Sequence, residues 1–273
     1  MASASDPGLR DQGALHEALA FAEELADAAR LMAMRRACSP LQIVAKYDGS
    51  PVTIVDGDIA HVLGELTAER YPGHAIHLGS VDEAARTPTW VFDPIARTRG
   101  FPAGSELLAT SIALVDGLRP VLAVVDLPVL RERWTGTAGA THFNGRPVWT
   151  SAQKRLSGAR LYTTSRGAFS PEGRAAVEQL ARVCTLRCFG GGCCAYGLLA
   201  SGHCDLVVEE GLQPKDYMAP ACVVEGAGGI VTDWTGAPLG LHSDGRVVAA
   251  ATRQLHREAL QILKCAVPAR HCA

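Results

Sequence analysis

The sequence predicts a layered α/β or α+β fold, and three observations carry that expectation. Helical and strand-like periodicities are mixed along the chain, and glycine- and proline-rich punctuation separates them at short intervals. No repeat, low-complexity tract or long linker breaks the order. At 273 residues the chain can bury a full core, as one unit over 1–273 with approximate halves 1–150 and 151–273.

The first element is a helix from about Gln12 to Arg36, because Leu15, Leu19, Ala22, Leu25, Ala26, Ala29 and Met32 recur at helical spacing. A turn-rich segment, Lys46–Asp56, leads into a second helix near Asp58–Arg70, which Pro72 and Gly73 end. From His74 to Leu127 the chain reads as strands: a short run at Val91-Phe92, then Ser111–Val115 and Val121–Val125, with a hairpin signal at Asp116-Gly117. Asn144-Gly145 predicts another hairpin. Ser170-Pro171-Glu172 opens a helix to about Val183, since serine caps well and proline suits the first turn. Beyond Arg187 come a helix over Cys193–Ser201, a strand over Asp205–Val208 and a helix over Tyr217–Ala227 that Gly228-Gly229 terminate. Strands at Ile230–Asp233 and Val247–Ala251 and a closing helix from about Gln254 complete the pattern.

Composition narrows the class of function. The chain is 48% hydrophobic and 20% charged with a formal net charge of −2, which gives no electrostatic reason to bind nucleic acid or an anionic membrane. No apolar run reaches the roughly 18 residues of a spanning helix, and the polar start MASASDPGLRDQG has no signal-peptide core. A cytoplasmic enzyme is the expectation. Six of the nine cysteines, Cys184, Cys188, Cys193, Cys194, Cys204 and Cys222, fall in one stretch without paired C-x-x-C spacing. They read better as small buried hydrophobes than as a zinc site or a disulfide framework, with a reactive thiol at Cys193-Cys194 left open. The nine histidines show no H-x-x-x-H pattern, and only His77 and His203 fall near the expected cleft.

Three separated segments carry the chemistry: KYDGSPVTIVD (Lys46–Asp56), WVFDPIARTRGF (Trp90–Phe101) and QPKDYMAPACVVEGAGGIVTDWTG (Gln213–Gly236). In this order and spacing they resemble the inositol monophosphatase superfamily over nearly the whole chain. TRGF, FGGGCCAY and GHCDLVVEEGLQPKDY bring the resemblance nearest to the histidinol-phosphatase branch. The resemblance implies a layered αβαβα sandwich, two or three Mg²⁺ ions held by carboxylates, and often a homodimer. The metal ligands in that family come from a GEE loop, both acids of DPIDGT and the acid of a WD/YD motif. A phosphate dianion needs neutralising, a water needs activating and a leaving alkoxide needs stabilising, which is work for hard-oxygen-bound magnesium.

Carried over residue by residue, the resemblance implies metal ligands at Asp93, the Ile95 carbonyl and Asp216, and a water-positioning role for Thr98. Glu209 matches an acid facing the substrate, Asp56 the acid of VTxAD and Lys46 an upstream lysine. Three departures stand out. The second DPIDGT acid is Ala96 and the next glycine is Arg97; the GEE loop reads His77-Leu-Gly-Ser-Val81, with Asp82 and Glu83 just beyond; and a substrate-contacting Asp is replaced by Gly192. Too few anions then remain for a pair of Mg²⁺, so no metal or only weakly bound Mg²⁺ is expected. Arg97 is expected to replace an ion between Asp93 and Asp216, with Arg99 and Lys215 as further cations, because arginine's planar fork suits carboxylate and phosphate. The expected catalytic set is Asp93, Thr98, Asp216 and Arg97, with Glu209, Gly192, Cys193, Lys215 and Arg99 around a small anionic metabolite.

Three functions remain open on the sequence. One is a repurposed enzyme performing elimination, cyclisation or isomerisation. Another is a non-catalytic metabolite-binding or partner-regulating protein. The last is a residual Mg²⁺-dependent phosphate monoester hydrolase using Asp82 or Glu83.

Overall fold

A computed structural model describes residues 11–37, 43–45, 51–77, 88–96 and 108–266. Two helices, α1 (Gln12–Ala37) and α2 (Ile54–Arg70), flank the short antiparallel pair β1 (Ile43–Ala45) and β2 (Pro51–Thr53). Seven strands then form one sheet in chain order: β3 (Ala75–His77), β4 (Thr89–Ala96), β5 (Ala109–Asp116), β6 (Arg119–Leu127), β7 (Glu132–Thr137), β8 (Ala140–Phe143) and β9 (Arg146–Pro147). Only β3 and β4 run parallel.

A second sheet of five strands has the order β11-β10-β12-β14-β13. Its strands are β10 (Arg160–Thr163), β11 (Leu186–Phe189), β12 (Leu206–Glu209), β13 (Ile230–Thr232) and β14 (Val247–Ala250), and β10 lies parallel to both neighbours. Helices α3 (Pro171–Val183), α4 (Cys193–Ala200), α5 (Pro214–Gly226) and α6 (Arg253–Leu263) complete the chain.

Strand alternation sorts these elements into layers. Trp90, Phe92, Ile112, Leu114, Leu122 and Val124 face α1 and α2. The alternate residues Val91, Ala113, Val115, Ala123 and Val125 face α4 and α5, which also receive Val207, Val231, Val247 and Ala249 of the second sheet. The outer face of that sheet, with Leu161, Leu206, Val208 and Val248, packs on α3 and α6. The result is the αβαβα sandwich that the resemblance implied. Buried Asp126 on β6 accepts hydrogen bonds from Arg30 of α1 and from Arg133 of β7 (2.7 Å to Arg133 Nε), pinning the first layer to the sheet. None of the described helices is long and apolar enough to cross a membrane.

The local signals behave as physics suggests. Asn144 (φ +47°) and Gly145 (φ +76°) form the β8–β9 turn, both in the left-handed region such a turn demands. Ser170 accepts a hydrogen bond from Gly173 N at 3.0 Å with Pro171 in the first turn of α3. Two helices begin earlier than their periodicity suggests. Helix α2 starts at Ile54, which places Asp56 in its first turn, where an acid complements the helix dipole. Helix α5 starts at Pro214, because the Asp216 carboxylate reaches back to accept from Gln213 N at 2.7 Å. Strands β7, β10 and β11 were not expected; they are short, and arginine, cysteine and glycine interrupt their alternation.

Candidate active site

A cavity of about 190 Å³ opens between the two sheets, lined by Asp93, Ala96, Ser111, Thr164, Gly192, Cys193, Tyr196, Glu209, Leu212 and Asp216. Each lining acid comes from a different element. Asp93 sits near the end of β4, directly opposite Ser111 of β5, just before the pairing slips between Asp93 and Ala96. Such a bulge re-aims side chains at a strand end. Glu209 ends β12, and its Oε1 accepts from Thr164 N at 2.8 Å and Thr164 Oγ1 at 2.6 Å. Asp216 lies in the first turn of α5.

Gly192 caps α4 with φ +54° and ψ −144°, a conformation open to glycine and strained for aspartate. The replacement of a motif acid there is thus matched by the backbone. Its N–H donates to Thr164 Oγ1 at 3.2 Å, so Thr164 links Glu209 to the start of α4.

The electrostatics centre on one pair. Lys215, the neighbour of Asp216, donates from Nζ to Asp93 Oδ1 at 3.0 Å. Burial pushes the Asp93 carboxyl up to about 6; the Lys215 ammonium pulls it down, and the charges of Asp216 and Asp56 add to the rise. Burial disfavours the Lys215 ammonium, but Asp93, Asp216 and Asp56 together outweigh it and raise its pKa. One ammonium is therefore bound to Asp93 of β4 and favoured by the charges of Asp216 on α5 and Asp56 on α2. Elsewhere in the lining, Ser111 Oγ and Tyr196 Oη are buried without a hydrogen-bond partner among the described residues.

The structure brings Asp93, Glu209, Asp216, Gly192 and Cys193 together, as the sequence suggested. Lys215 is present too, but it is bound to Asp93 and is absent from the cavity lining. The Ile95 side chain is buried under α1 and α2. His77 is buried at the end of β3, whereas His203 is exposed beyond the far end of α4 and does not belong to the site. Arg97, Thr98, Arg99, Lys46, Ser80, Asp82 and Glu83 lie outside the described residues, and so does the expected pairing of Arg97 with Asp93. Sequence reasoning missed Ser111, Thr164 and Tyr196. Burial pushes the thiols of Cys204 and Cys222 up to about 12 and that of Cys184 to about 11, which suits the reading of these cysteines as hydrophobes.

The fold and this acid-lined cavity define a class, the layered α/β small-molecule phosphatases. A model of the inositol monophosphatase family matches residues 14–267, and the chain belongs to that family. It is 37% identical over 257 residues to the bifunctional phosphatase IMPL2, chloroplastic, of Arabidopsis thaliana, covering 90% of this chain and 74% of that protein. It is 32% identical to a histidinol-phosphatase of Streptomyces coelicolor, covering 90% and 96% of the two chains. Among solved structures, an inositol monophosphatase from Zymomonas mobilis superposes with a TM-score of 0.83 at 37% identity, covering 91% of this chain and 98% of that one.

Magnesium, which the family implies, needs several hard oxygen ligands. Among the described residues no group of three or more His, Cys, Asp or Glu side chains is arranged to hold a metal ion. Ala96 offers a methyl group where the motif has an acid, and Lys215 already sits on Asp93 Oδ1. So arranged, the described side chains do not form a site for a magnesium pair.

Proposed function

We propose that this protein is a phosphate monoester hydrolase acting on a small polyol or amino-alcohol phosphate of the inositol phosphate or histidinol phosphate kind. The observation that carries the reading is the cavity between the sheets with Asp93, Glu209 and Asp216 in its wall. Relatives with phosphatase names support it. In this reading Asp93, ionised above about pH 6, takes a proton from the water that attacks phosphorus. Glu209, anchored by Thr164, accepts from a hydroxyl or ammonium of the substrate and orients it. The P–O ester bond breaks, and the departing alkoxide is protonated from solvent.

Hydrolysis agrees with the relatives better than the elimination, cyclisation or isomerisation expected from the motif departures, or than binding alone. The test is release of inorganic phosphate from histidinol phosphate, inositol 1-phosphate and a panel of sugar phosphates, with and without Mg²⁺. Phosphorus NMR identifies the products. Inorganic phosphate together with the free alcohol, lost in Asp93→Asn, is the expected result. No phosphate from any substrate at any Mg²⁺ concentration overturns the reading, as does an anhydro or isomerised product.

A further inference from the structure

The cluster of Asp93, Asp216, Asp56 and Lys215 asks for more than the hydrolysis reading gives it. Its ammonium is largely buried, with Lys215 only 19% exposed in its side chain, and it is 3.0 Å from Asp93 Oδ1. Asp216 and Asp56 act on it as well. Burying an ammonium is costly unless a carboxylate meets it, and here Asp93 does. The ammonium already occupies Asp93 Oδ1, and among the described residues no three acids are arranged for an ion, so in the absence of substrate Asp93 is open to one divalent cation at most.

A second, independent observation says that a ligand belongs beside this cluster. Ser111 Oγ and Tyr196 Oη are buried in the cavity wall, each residue 2% exposed, with no hydrogen-bond partner among the described residues. Buried hydroxyls left unpaired are rare and cost stability. Ser111 stands directly across the strand pair from Asp93. Two donors at the wall of an acid-lined cavity suit the oxygens of a phosphate group.

We infer that Lys215 is a tethered ammonium standing in for one divalent cation at Asp93, which leaves this centre room for no more than one divalent ion. Ser111 and Tyr196 donate to the oxygens of the bound phosphate group. The inference deepens the hydrolase reading and rests on it for the use of the centre. The two fail separately, because ions are counted without turnover and phosphate release is measured without counting ions.

The experiment titrates Mn²⁺ into the full chain and follows free Mn²⁺ by electron paramagnetic resonance. Wild type is expected to take up no more than one Mn²⁺ per chain. Lys215→Met is expected to take up one more, or to bind its ion about tenfold tighter or better, as the freed carboxylates act on it. Lys215→Arg should behave as wild type. Two ions bound per wild-type chain overturn the inference, and that measurement needs no variant to fold. A Lys215→Met chain that melts cooperatively yet gives the wild-type isotherm overturns it as well. Inorganic phosphate affinity, read by calorimetry, should fall severalfold in Ser111→Ala and Tyr196→Phe with the Mn²⁺ count unchanged. Unchanged affinity in both removes the two hydroxyls from the site.

Discussion

Asp93 and Asp205 are both buried acids, one on each sheet, and they differ in how many donors meet them. Asp205, just before β12, accepts from Ser151 Oγ at 2.5 Å, from Arg160 N at 2.9 Å, and from Arg160 Nε and Nη2 at 2.8 and 2.9 Å. Burial pushes its carboxyl up, but the Arg160 and Ser151 hydrogen bonds prevail and hold it below its ordinary value. Among the described residues Asp93 meets one ammonium and feels two neighbouring acids, so burial prevails and its carboxyl rises to about 6. Burial alone does not make an acid reactive. A saturated carboxylate is a structural bolt; an under-saturated one sits where a proton can be exchanged near neutral pH.

The contrast breaks most visibly by exchange of each acid for its amide. Asp93→Asn should lower phosphate release by roughly 10²–10⁴-fold, the usual worth of a general base, while its effect on stability is the smaller, pH-dependent one given below. If release survives unchanged, Asp93 is not the base. Asp205→Asn should do the opposite, costing about 2 kcal/mol in urea unfolding, because the partly exposed Arg160 guanidinium and Ser151 lose a charged acceptor. Its turnover per folded molecule should stay within about twofold.

A third change separates the sheets rather than the acids. A Cβ at Gly136 would stand 2.9 Å from Val223 Cα, backbone that cannot yield. Gly136→Ala should push α5, which carries Lys215 and Asp216, away from β7 at a cost of about 2 kcal/mol, and it should raise KM as the cavity shifts. An unchanged KM would show that α5 adjusts without moving its first turn.

The smallest effect is in pH. Asp93, with its folded pKa raised, contributes stability that is full below its unfolded pKa near 4 and is lost as pH rises through about 6. Asp205, with its folded pKa lowered, contributes stability that is full above its unfolded pKa and is lost as pH falls through its folded value. Urea midpoints between pH 4 and 7 should therefore slope differently in the two amide variants. Asp93→Asn should gain about 1–2 kcal/mol relative to wild type at pH 7 over pH 4. A parallel slope in both variants would dissolve the distinction.

Much of the fold was legible because local signals and tertiary packing agree. Asn144-Gly145, Ser170-Pro171 and the heptad-like apolar spacing of α1 each say alone what the folded chain confirms. The site was legible in its acids and less so in its partners. The sequence gives Asp93 three nearby cations, Arg97, Arg99 and Lys215, and spacing cannot choose among them. Of the three, only Lys215 is among the described residues, and it reaches Asp93 because α5 begins at Pro214, three residues before its apolar pattern does. Ser111 and Tyr196 escaped notice because their meeting depends on two sheets closing over one helix pair, which no local pattern encodes.

Lys215 and Asp93 lie 122 positions apart, and their union is made only when α5 docks onto the first sheet. A free ion fills a site by mass action and can be withdrawn by dilution or a chelator. A cation delivered by the chain itself is subject to neither; its occupancy is the occupancy of the folded state. At that one position the charge balance follows folding stability, whatever the mineral content of the surroundings.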